Sequence, residues 1–166
     1  TVCLSRISKT SKRGKMPGPT VISTSTFLAD AVLLFRDEIE VNITDPVTRA
    51  GNERFVMTAY PKRLVRYPVI TIIDKGITGW RKGGMGSTVS IQNLGIEIRA
   101  WARNVVERDE LTQQILDRFR TRMNSFSTTE KIHNFRITSI TNVDEPSEQG
   151  IKSKIIEIEF MEILGE

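Results

Sequence analysis

The sequence is poor in the residues that make chemistry recognisable. Among 166 residues there is one cysteine, Cys3, and one histidine, His133. A single cysteine closes no intrachain disulfide and builds no structural zinc site, and such sparing use agrees with a reducing compartment. The lone histidine precedes a strand in a polar stretch and has no nucleophile elbow to serve, so a hydrolytic triad is not expected. No apolar run approaches the roughly 18 to 20 residues that cross a bilayer, and no membrane partner is expected. The opening "TVCLSRISKTSKRGKMPGP" is basic and polar with no apolar h-region, which argues for a soluble chain made inside the cell.

Two stretches imitate active sites. "GGMGST" ends in hydroxyl residues like a phosphate loop, but it lacks the lysine before them and a strand follows where a helix is needed. Glu157 and Glu159 stand two apart on a strand and could pair as catalytic carboxylates. Alternating glutamates are more simply the solvent side of a half-buried strand. No catalytic, cofactor-binding or metal-binding residue is assigned, and the expectation is a protein that is not an enzyme and needs no cofactor.

Acidic residues are missing from the first 16 positions, which hold Arg6, Lys9, Lys12, Arg13 and Lys15. The other 19 basic residues are matched by 20 acidic ones, so the net charge of +4 belongs to this arm. A domain that grips a phosphate backbone carries its positive charge on a folded face, which disfavours general nucleic-acid binding. Residues 1–22 read either as a solvated tail or as an arm that orders on a neighbouring subunit or partner. In the second reading Arg6, Lys12 and Arg13 are candidate contacts.

What is present is a core. Hydrophobic residues make up 39% and charged residues 27%, enough for one folded domain over residues 23–166. Phe27, Leu28, Ala31, Leu34, Phe35 and Ile39 recur at helical spacing and predict a helix over about 24–41. A turn-rich loop over 42–54 leads to short extended segments near 55–60 and 67–73. "DKGITGWRKGGMGST", residues 74–88, has five glycines and reads as a long mobile loop. A strand over 88–102 follows, apolar at Leu94, Ile96, Ile98 and Ala100. The parity of Val89 and Ile91 differs and calls for a bulge near Asn93–Gly95.

A helix over 105–124 is capped by Asn104, with Glu107 placed as in a capping box. Its stripe is Leu111, Ile115, Leu116, Phe119 and Met123, and Arg118, Arg120 and Arg122 crowd its last turns. Phe135, Ile137, Ser139, Thr141 and Val143 then alternate, and "PSEQG" turns into a strand with Ile156, Ile158 and Phe160 on one face. The order predicts an α+β domain, a mostly antiparallel sheet with two helices packed on one face.

Two surfaces suit contact rather than catalysis. Trp80, Arg81 and Lys82 stand in the glycine-rich segment, where Trp80 either anchors an interface or folds back over its own sheet. Glu97, Arg99, Arg136, Glu157 and Glu159 share the uncovered sheet side, which in a ring would line a channel or pair across subunits.

Taken together, "YPVITIID", "LGIEIRAWARN", "ERDELTQQILDRFRTRM" and "GIKSKIIEIEFMEI" resemble the tail terminator, or tail-completion, proteins of tailed phages and related viruses. The likeness spans about residues 24–164 and lies in the order of elements. It implies a homo-oligomer, a hexameric ring, with the tail tube and possibly the sheath on one side and a neck or connector protein on the other. DNA would pass through its lumen only in transit. The same likeness implies a virion protein at the tail–neck junction, assembled in the host cytoplasm. Another neck, connector or head–tail joining subunit is the alternative it leaves open, and a nucleic-acid-binding module is a third, supported by the arm alone.

Overall fold

In the computed structural model, which describes residues 27–61, 65–84, 86, 88–144 and 150–164, these patterns resolve into two helices and five strands. Their order is α1 (Phe27–Asn42), β1 (Val56–Met57), β2 (Val69–Lys82), β3 (Ser90–Ala102), α2 (Val105–Thr128), β4 (His133–Asp144) and β5 (Lys152–Leu164). The strands form one sheet in the order β1-β2-β3-β5-β4. β1 joins β2 in parallel, and the remaining pairings are antiparallel. The α+β class with helices on one face is what the sequence predicts.

Helical spacing builds the core layer. α1 buries Phe27, Ala31, Val32, Phe35 and Ile39, and α2 buries Leu111, Ile115, Leu116, Phe119 and Phe126. Together they share one core with Ile70 and Ile72 of β2, Leu94, Ile96 and Ile98 of β3, and Ile156, Ile158 and Phe160 of β5. Phe35 is the centre, with ring centroids between 5.3 and 5.9 Å from those of Phe119, Phe126, Phe135 and Phe160. Such edge-on ring pairs add to simple burial.

Asn104 caps α2 as expected: its side-chain oxygen accepts the Glu107 N–H at 2.9 Å. Glu107 reaches back one residue further than a capping box, accepting the Arg103 N–H at 2.9 Å. The helix runs on to Thr128, so the arginines expected in its last turns lie in its body. Arg118 and Arg122 turn instead to Glu38 of α1, the latter at 3.3 Å, and Arg120 to Asp117 at 3.0 Å. Glu38 therefore ties α1 to α2. Met123, expected in the apolar stripe, is 44% exposed. Phe126, two turns beyond Phe119, fills that face.

Four further expectations are corrected. The long loop 74–88 is mostly strand, since β2 continues to Lys82, which pairs with Ser90. Beyond that pair the Gly83 N–H donates to the Val89 carbonyl at 2.8 Å. Ladder hydrogen bonds are made by backbone, so this stretch pairs without a core to pack. The strand expected over 55–60 is two residues long. The bulge expected in β3 is absent from it, because β3 pairs with β5 without interruption from Ser90–Leu164 to Ala102–Lys152. The irregularities lie across from it on β2, between Asp74 and Gly76 and between Ile77 and Gly79. On β4 a register shift between Ile137 and Ser139 breaks the single alternation expected there. Ile137 stands opposite Ile158 on the core side, whereas Ser139 stands opposite Glu157 on the other.

Candidate functional site

The open face of the sheet collects the charged residues that alternation assigns to it. Register places Glu97 of β3 opposite Glu157 of β5, and Arg136 and Ser139 of β4 opposite Glu159 and Glu157. Like charges directly across a ladder repel, and two residues that register alone would not supply bring donors to these glutamates. Lys75 and Thr78 are the extra residues of the two β2 irregularities. Each turns its side chain onto this face, Lys75 to the Glu157 carboxylate and Thr78 Oγ1 to Glu159 Oε1 at 2.7 Å. Ser139 Oγ donates to Glu157 Oε2 at 2.7 Å, and Arg136 Nε donates to Glu159 Oε2 at 3.0 Å.

The electrostatics follow from these contacts. The hydrogen bond from Lys75, then that from Ser139, holds the Glu157 carboxyl below the usual carboxylate range, while Glu157 raises the Lys75 ammonium. The bond from Arg136, then that from Thr78, lowers Glu159 in the same way. Gly95 lies directly under the two irregularities. A Cβ there would stand 3.0 Å from Thr78 Cγ2 and 3.2 Å from Lys75 Cβ. The close approach of β2 to β3 needs glycine at this point.

Arg99 shares the face but not its exposure. Its guanidinium lies 4.2 Å from the centre of the Trp101 ring, and its Nε donates to Ser153 Oγ at 3.2 Å. Trp101 Nε1 donates to Thr71 Oγ1 at 3.0 Å, and Tyr60 meets the indole edge-on at 6.3 Å. Arg99 and Trp101 are consequently buried, so Arg99 braces this end of the sheet and is not a solvent-lining charge. Trp101 was legible as an odd-numbered partner of Arg99, but attention to the apolar even positions passes over it.

The other candidate surface is the end of the β2–β3 hairpin. After Ile72, β2 buries no further residue. Trp80 is 59% exposed and Ile77 60%, with Arg81 and Lys82 exposed beside them. Trp80 therefore does not fold back over its own sheet. Arg81 Nη2 lies 4.0 Å from Met161 Sδ, which ties the hairpin to β5. Arg6, Lys12 and Arg13 lie outside the described residues.

His133 opens β4, half-buried. Among the described residues no group of three His, Cys, Asp or Glu side chains could hold a metal ion, and no helix is long and apolar enough to cross a membrane. No protein-family model matches the chain, and no curated protein matches it.

Proposed function

We propose that this chain is a structural subunit of a tailed virus, a tail terminator whose ring caps the tail tube and joins the tail to the head-side neck. The observation that carries the reading is the hairpin. It continues ten residues beyond Ile72, the last buried residue of β2, and holds Ile77 and Trp80 in water beside two cations. A folded projection ending in an exposed indole is a contact element, since tryptophan is enriched among interface anchors. The shared order of elements with tail terminator proteins supports the same reading.

The open face agrees with a conduit. Among the described residues, Glu97, Glu157 and Glu159 meet only Lys75 and Arg136 there, because Arg99 is buried, so the face offers DNA phosphates little net attraction. DNA would then pass without being gripped, with tube protein on one side of the ring and neck protein on the other. In this reading the basic arm with Arg6, Lys12 and Arg13 also reaches a neighbour. Removing residues 1–20 leaves a folded domain that docks less well, and undiminished assembly of that truncated chain would count against the arm. The decisive experiment is electron microscopy of virus particles lacking the protein. Overlong tails without heads are the expected result. Tails of normal length still attached to heads would refute the reading, and full heads bearing no tails would favour a neck or connector subunit instead.

A further inference from the structure

The hairpin tip has a chemical counterpart at the opposite end of the molecule. Between the segment after α1 and the first turns of α2 lies a groove of about 520 Å³, with Pro46, Val106, Glu107, Glu110 and Leu111 in its wall. Val106 is 64% exposed. Glu107 is paired with Arg103, whereas Glu110 has no ion-pair partner among the described residues. Thr44, Asn104 and Gln114 complete the wall, so the groove is of mixed character, with Pro46, Val106 and Leu111 as its apolar part and an unbalanced negative edge at Glu110. The tip presents the converse, an exposed indole and isoleucine flanked by Arg81 and Lys82.

The two surfaces cannot meet within one chain. Ser90, paired with Lys82, adjoins the tip, while Ala102 leads straight into α2 and the groove. The 13 residues of β3 separate them, a distance of roughly 40 Å at about 3.3 Å per residue. Complementary patches at opposite ends of one molecule define a heterologous contact, the kind that closes rings or extends filaments.

We propose that the Trp80 tip of one copy seats in the Pro46–Val106–Glu110 groove of the next. This rests on the ring reading above and names the two surfaces that join its subunits. The indole and Ile77 supply the attachment, and Lys82 and Arg81 opposite Glu110 set the orientation, because exposed charges steer and align more than they bind.

Three variants and the single Lys82→Glu control test it in sedimentation velocity, with circular dichroism and melting confirming that each is folded. The tip variant is Trp80→Ala with Lys82→Glu, the groove variant is Val106→Asp with Glu110→Lys, and the third exchanges charge alone, Lys82→Glu with Glu110→Lys. Tip and groove variants should each self-associate roughly ten- to a hundredfold more weakly than the parent. Mixed in equal amounts they should form a dimer and stop, since only one sound tip and one sound groove are available. The charge exchange should associate more strongly than Lys82→Glu alone. If the parent assembles and both variants assemble equally well, or their mixture rebuilds full-sized particles, the proposed contact is overturned while the ring reading stands. If the parent is a monomer at every concentration, both fall.

Discussion

Gly95→Ala isolates the local geometry that builds the open face. A Cβ at this position stands 3.0 Å from Thr78 Cγ2 and 3.2 Å from Lys75 Cβ, against the roughly 3.5 to 4.0 Å at which carbon atoms pack comfortably. β3 is the middle strand, hydrogen-bonded to β2 on one side and β5 on the other, so it cannot retreat without straining two ladders. Relieving the contact means moving Lys75, which pairs with Glu157, and Thr78, which donates a hydrogen bond to Glu159. Alanine regains about 0.5 to 1 kcal/mol through a less flexible unfolded chain. Overpacking of this kind costs about 1 to 3 kcal/mol. The expected result is a net loss of about 1 kcal/mol in urea unfolding, the difference between the middles of these opposing ranges. Thr78→Ser removes Cγ2 and keeps the hydroxyl that bonds Glu159, so in the Gly95→Ala background it should restore part of the loss. A Gly95→Ala protein as stable as its parent, or one whose deficit Thr78→Ser leaves untouched, would refute the claim that these bulge residues are held tightly over Gly95.

Three other outcomes follow from the same structure. Phe35→Ala removes the ring at the centre of the aromatic cluster, fully buried against four others, and should lower unfolding free energy by about 3 to 5 kcal/mol in chemical denaturation. Asp109, bonded first by Arg108 and then by Lys154, has its pKa lowered from 3.8 to about 2. A depressed carboxylate stabilises the fold above its unfolded pKa, and that contribution is lost as pH falls from near 4 toward 2. Its side chain is 46% exposed, so screening holds the effect below about 1 kcal/mol, and Asp109→Asn should flatten the acid limb of the stability profile slightly. Trp80→Ala should change thermal stability by less than about 0.5 kcal/mol while impairing incorporation into tails. A large fall in melting temperature would return Trp80 to the core.

Much of the fold was legible because core packing and local chemistry agree. The i, i+2 spacing of Ile156, Ile158 and Phe160 and the cap at Asn104 are short-range signals, and both appear as expected. The hairpin was not legible, because glycine content speaks for turns whereas backbone pairing to β3 depends little on side chains. Irregularities were harder still. The parity change near Asn93 signals that one strand of a pair slips, and only the partner's coordinates reveal that β2 carries the extra residues. Long-range pairing hides similarly: Arg118 and Arg122 suit a helix end in sequence, but Glu38 lies 80 positions from Arg118 and claims both. On the open face, register sets Glu97 across from Glu157 and Arg136 across from Glu159, in keeping with alternation. Alternation could not show that Trp101 covers Arg99 or that Lys75 and Thr78 reach the glutamates.

Self-assembly through the exposed hairpin is tested most directly by sedimentation velocity of the purified chain across a concentration and salt series. A discrete closed species of six subunits, lost when Trp80 and Lys82 are replaced, is the predicted result. A protein that stays monomeric up to its solubility limit at every salt concentration would contradict it.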